Sequence, residues 1–122
     1  ETDIFGALES ARRYAMPDRP NYVMLLSDMM NFTKALRMEP TNKNFTKEKL
    51  DELIVSAPKV SLNGYVVLVL TGDQSGNEAT HFDTVRSFWL KYFEQNGAKV
   101  FDYGSQSRSK VVDLMKSAKA RE

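Results

Sequence analysis

The chain has 122 residues, enough for one domain with a modest core. It is 42% hydrophobic and 27% charged, a balance that excludes a largely disordered polypeptide. Net charge is +1, from 17 basic and 16 acidic residues, so no field of either sign recruits nucleic acid or an anionic membrane.

Thr2 or Asp3 caps a first helix, whose apolar positions Ile4, Leu8, Ala11 and Ala15 follow the 3.6-residue period. Pro17 and Pro20 end it. Tyr22-Val23-Met24-Leu25-Leu26-Ser27-Asp28 is then an apolar run closing on an acid, which predicts a strand buried on both faces. Met29 to Asn44 is polar, holds Pro40 and lacks periodicity, with room for one or two helical turns over residues 32–38. A better helix opens at Thr46, with Phe45 and Leu50 at the staple positions and Leu50, Leu53 and Ile54 as its buried stripe.

Gly64 to Leu70 is a second fully apolar strand, closed by Thr71-Gly72-Asp73, and Gln74 to Ala79 is a loop. Thr80, with Asp83 three residues on, caps the longest helix. Its core stripe is Phe82, Val85, Trp89, Tyr92 and Phe93; Phe88 is out of phase and predicted to cover an edge or meet a partner. Asn96-Gly97 is a helix stop, and Lys99 to Tyr103 alternates as a short edge strand would. After a turn over residues 104–107, a last helix carries Val111, Val112, Leu114, Met115 and Ala118 inward.

Strands alternating with helices predict parallel strands joined by right-handed crossovers. The expected fold is α/β, a Rossmann-like parallel sheet with helices on both faces, in a single domain over residues 1–122. Three strands are few for such a sheet, and a helix ahead of the first strand calls for a strand before it. The chain therefore reads as the second half of an α/β domain, apparently lacking its N-terminal strands. Its start at Glu1-Thr2-Asp3 without Met suits a fragment or a processed product. No apolar run reaches the about 18 residues of a membrane span, and no signal-peptide pattern opens the chain. The absence of cysteine removes disulfides, thiol catalysis and thiolate metal sites.

Thr2-Asp3 opening a helix, a strand ending in Leu26-Ser27-Asp28, and two further strand–helix units together resemble the C-terminal portion of a von Willebrand factor A domain. Phe88-Trp89-x-x-Tyr92-Phe93 followed by Asn96-Gly97-Ala98 also resembles A-domain-like bacterial proteins. The resemblance implies a metal-ion-dependent adhesion site, in which Thr2 matches the family's helix-opening Thr and Asp28 its strand-end Asp. Residue 29 is Met where the family usually has Gly. The family's Asp-x-Ser-x-Ser string is absent; the nearest match is Asp73-Gln74-Ser75-Gly76-Asn77, with Asp73 and Ser75 as weaker candidate ligands. An upstream segment would supply the true string. The implied ion is Mg²⁺, with Mn²⁺ or Ca²⁺ as substitutes, and a carboxylate from a protein partner completes its shell.

Mg²⁺ takes about six oxygen ligands near 2.1 Å and keeps several as water. Hydroxyl ligands and a water-mediated carboxylate leave it under-neutralised, which suits recognition and not catalysis. Met29, Met30 and Phe32, just past Asp28, either tuck beneath the loop or form an apolar rim for that partner. The rival expectation is a small flavodoxin-like or phosphatase-like enzyme with Asp28 and Asp73 as a Mg²⁺-binding pair at strand ends. A third is a scaffold without metal. His81, the only His, reads as a surface residue, and no serine triad or phosphate-binding glycine motif occurs. Asn31-Phe32-Thr33 and Asn44-Phe45-Thr46 fit the glycosylation pattern. If strands are missing, an exposed sheet edge favours association with another chain.

Overall fold

The computed structural model describes residues 2–105 and 108–120, without the side chains of residues 108–110, 117, 118 and 120. The chain runs α1 (Ile4–Arg12), β1 (Asn21–Leu26), a 3₁₀ turn (Lys47–Lys49), α2 (Leu50–Ser56), β2 (Tyr65–Leu70), α3 (Ala79–Gln95), β3 (Lys99–Gly104) and α4 (Arg108–Ala120). The strands form one parallel sheet in the order β1-β2-β3, so the fold is α/β and Rossmann-like, as the alternation predicted. Val23 and Leu25 lie in register with Val67 and Val69, on the face that packs against α1, α2 and α3. Tyr22 and the alternate β2 residues Val66, Leu68 and Leu70 form the opposite face, where Leu114 of α4 is seated. Helices thus cover both faces, unequally.

β2 is the strand buried on both sides; only Leu70 at its end is partly open. β1 is not, because it is an edge strand and α4 reaches the β2 column without covering it: Met24 and Leu26 are exposed. An uninterrupted apolar run marks a buried strand only when both neighbours are present. β3 is the other edge and, at six residues, no shorter than β1.

The long helix departs from expectation at both its start and its stripe. Residue Glu78 sits at the cap position without a side-chain cap bond, and Thr80 lies inside the helix. Asp83 is drawn instead to Lys47, 2.7 Å away, whose ammonium holds its carboxyl below the usual range. Phe88 is fully buried, so it belongs to the core and covers no edge. It meets Phe5, Trp89 and Tyr92 at ring-centroid distances of 6.3, 5.0 and 5.9 Å. The helix closes as anticipated. Ala98 N–H donates to Phe93 O and Gly97 N–H to Glu94 O, with Gly97 at φ 91°. Among the described side chains of α4, Leu114 alone is buried and Val111 is half-buried; Val112 and Met115 face outward, and Ala118 lies outside the described side chains.

Residues 32–38 form no helical turn. Phe32 makes antiparallel bridges to Thr2 and to Arg37, folding the segment back on itself. The cause is Asn31, fully buried. Its Oδ1 accepts from Ile4 N–H at 2.8 Å; its Nδ2 donates to Leu36 O at 2.8 Å and Thr33 Oγ1 at 3.1 Å. One amide therefore fastens the start of α1 to the loop after β1, and it is no surface acceptor for a glycan. Asn31→Ala strands buried polar groups at about 1–3 kcal/mol each. A loss of about 2–4 kcal/mol is expected in urea unfolding, against roughly 0.5 kcal/mol or less for exposed Asn44→Ala.

Candidate functional site

In a parallel α/β sheet the carboxyl ends of the strands form one rim, where ligands bind. Here the rim gathers Ser27 and Asp28 after β1 with Thr71, Gly72, Asp73 and Gln74 after β2, around an open crevice of about 470 Å³. Asp28 and Asp73 thus share one crevice, as strand-end logic predicted. Ser27 N–H continues the ladder to Leu70 O at 3.0 Å, and Thr71 N–H donates to Gly104 O at 2.9 Å. Both loops therefore leave from hydrogen-bonded strand ends.

Asp28 is exposed; its Oδ1 accepts from Met30 N–H at 3.0 Å, and Ser27 Oγ accepts from Met29 N–H at 2.9 Å. The two side chains wrap the backbone into a tight turn. Met29 is forced to φ 66°, the one non-glycine residue with positive φ among the described residues. Its side chain drops into the core, fully buried, and its carbonyl accepts from Trp89 Nε1 at 2.8 Å. Of the three apolar candidates, Met29 is core and Met30 is partly buried against it. Phe32 alone is at the surface, with the Arg37 guanidinium 4.7 Å from its ring centroid.

Thr2 lies outside the crevice: it is exposed, and its carbonyl accepts from Phe32 N–H at 2.8 Å. The cap of α1 is Asp3, whose Oδ1 accepts from Gly6 N–H at 2.8 Å. Thr2 and Asp28 are therefore tied to opposite ends of the 28–32 turn. Asp73 folds onto its own loop. Ser75 Oγ and N–H both donate to Asp73 Oδ1, at 2.7 and 2.9 Å, and hold its carboxyl below the usual range. That is turn chemistry of the ordinary kind.

Tyr103, expected only as the end of an edge strand, is buried. Burial pushes its hydroxyl well up from the usual range, Arg86 opposes the shift, and the charge of Asp28 adds to it. The Arg86 guanidinium lies 5.8 Å from the ring centroid, and the hydroxyl has no hydrogen-bond partner among the described residues. His81, expected at the surface, is half-buried: its ring Nε2 is 2.6 Å from Met38 O and its ring packs on Phe45. It props the 31–38 loop.

All donors at the rim are oxygens, the kind Mg²⁺ takes. Among the described residues, however, no group of three or more His, Asp or Glu could hold a metal ion. Asp28, Asp73 and neighbouring hydroxyls are of the right chemistry and too few to form a closed cage. No family model matches the chain, and no curated protein or solved structure matches it.

Two measurements test this geometry. Met29→Gly relieves a left-handed strain of about 1–2 kcal/mol but deletes a buried side chain worth about 2–5 kcal/mol. Burial wins, and a net loss of roughly 1–3 kcal/mol is expected in chemical denaturation. Ser75→Ala removes one of the two donors to Asp73, so the Asp73 carboxyl moves back up toward its ordinary value of 3.8 in a ¹³C-detected titration. The sign follows from the depressed pKa in the folded state. The Ser75 contacts favour the carboxylate, stabilise the fold above the unfolded-state pKa, and fade as pH falls through the folded one.

Proposed function

We propose that this chain is a non-catalytic protein-interaction module of the von Willebrand factor A type, with a divalent-cation site centred on Asp28. The observation that supports it best is Met29. The residue after Asp28 has φ 66°, a conformation that glycine adopts freely, and glycine is what the resembling family usually has there. A positive φ directly after Asp28 is compatible with such a turn, with the Met29 side chain buried in the core. Asp28 is exposed at the carboxyl end of β1, Ser27 precedes it, and Thr2 is linked to the same turn through Phe32.

In this reading Asp28 and the Ser27 hydroxyl contribute oxygens, directly or through water, to Mg²⁺, and Thr2, outside the crevice, supports the turn through Phe32. The partner's carboxylate fills an open position, and exposed Phe32 lies beside it as an apolar contact. Mg²⁺ added to the ¹⁵N-labelled chain should shift the amides of Ser27, Asp28 and Met30 saturably. Asp28→Ala should remove those shifts while the far-UV circular dichroism stays that of the wild type. An unmoved Asp28 amide would sink the cation site.

One observation favours a second reading, an enzyme: Asp28 and Asp73 line the same crevice. Two carboxylates there would hold Mg²⁺ for attack on a phosphate ester. Against it, Asp73 already accepts two hydrogen bonds within its own loop. The same preparation assayed with p-nitrophenyl phosphate and Mg²⁺ separates the two, since the adhesion reading expects no turnover.

A further inference from the structure

The two edges of the sheet are unlike. β3 carries Lys99 and Asp102, and its register with β2 slips between Val67 and Leu68. Charges and a bulge are the usual means of blunting an edge. β1, Asn21–Leu26, has neither a charge nor a proline. In its ladder Asn21 N–H donates to Gly64 O and Ser27 N–H to Leu70 O. Alternate residues of a parallel strand turn to the same side, so the N–H and C=O of Met24 and Leu26 point away from β2. The side chains of these two residues stand on the thinly covered face, where Met24 is 39% and Leu26 77% exposed. Unused edge groups and exposed apolar surface coincide on the same residues.

We propose that a second copy of this chain covers the edge, β1 pairing antiparallel with β1 about a two-fold axis at Met24 to give one continuous sheet through both copies. In that register the two Met24 residues exchange a pair of N–H···O bonds, and Leu26 lies across from the partner's Tyr22. Pro20, which has no N–H, falls across from the partner's Asp28 and ends the ladder on both sides. Charge is compatible with this orientation. Arg19, itself 3.8 Å from Asp18, precedes the strand and Asp28 follows it, all exposed, so antiparallel pairing offers Arg19 of each copy the Asp28 carboxylate of the other as a second acid. With a net charge of +1, two copies do not repel appreciably.

The pairing does not rest on the cation reading. Because Arg19 and a cation would contend for Asp28, it is measured in chelator, so failure of one leaves the other standing. Sedimentation velocity over a concentration series should show a monomer–dimer equilibrium. Leu26→Lys, at a position too exposed to disturb the monomer, should raise the dissociation constant at least about tenfold. The chain has no cysteine, so Met24→Cys introduces a single thiol. Directly paired residues of antiparallel strands have Cα atoms about 5.5 Å apart, within disulfide reach. Oxidation should then give a covalent dimer, and Val55→Cys, exposed on α2, should give little. A monomer at every concentration, open-ended assemblies, a dimer indifferent to Leu26→Lys, or equal cross-linking of both thiols would each overturn the proposal.

Discussion

The Asn31 carboxamide bonds three separate pieces of chain: the first turn of α1 through Ile4 N–H, the loop through Thr33, and the start of the return segment through Leu36 O. Its own backbone carbonyl accepts from Met38 N–H at 2.9 Å. A buried amide with both ends satisfied is stabilising, and one with either end stranded is costly. This makes the segment from Asp28 to Met38 a single unit despite its having almost no regular structure. It also fixes where α1 begins relative to β1. The rim inherits its shape from that constraint, because Asp28 and Met29 lie immediately upstream of Asn31.

Beneath this loop, aromatic side chains from α3 supply both packing and polar ends. Trp89 donates to Met29 O at 2.8 Å and Tyr92 to Pro58 O at 2.6 Å, while Tyr65 of β2 donates to Ala11 O at 3.2 Å. Each ring buries its apolar body and directs its one polar atom to a backbone carbonyl, in irregular segments for Trp89 and Tyr92 and in the last turn of α1 for Tyr65. Burial raises the Tyr92 hydroxyl to about 12, more than a backbone contact with Val60 lowers it. Phe5 completes the group, 5.0 Å from Trp89 and 5.3 Å from Tyr92 between centroids. The rim turn is thus clamped from below by Trp89 and from the side by Asn31, and the Asp28 carboxylate and the Phe32 ring face outward.

Local chemistry accounts for what was legible in the sequence. The β-branched run of β2 and the Asn96-Gly97 stop each announce themselves within a few residues and stand where expected. The helix expected from Thr46 instead starts as a 3₁₀ turn and becomes α-helical only at Leu50, with Phe45 and Leu50 both buried. Asp28 and Asp73 were placed at one rim because strand ends converge in any parallel sheet. What the sequence does not show locally depends on residues far apart along the chain. Phe88 is off the α3 stripe for a helix packed on one surface, but α3 is embraced by α1 and the loop as well, so its buried arc is wider. Asn31 reads as a polar loop residue until Ile4, 27 positions away, is set beside it. Asp83 reads as a cap until Lys47 is found opposite.

β1 shows most clearly how an apolar run can mislead. Its composition is that of a central strand, and its position is that of an edge. Side chains on one of its faces meet the core, whereas those on the other meet α4 only where β2 intervenes. Leaving Leu26 in water forgoes most of the roughly 1.5–3 kcal/mol that burying a leucine contributes. β3, whose neighbour on one side is equally absent, carries charge and a register slip instead. The same sheet therefore has one edge built to stay open and another whose residues are suited to a neighbour. The open edge runs directly into Ser27 and Asp28, so a neighbour on β1 would also set the surroundings of the Asp28 carboxylate.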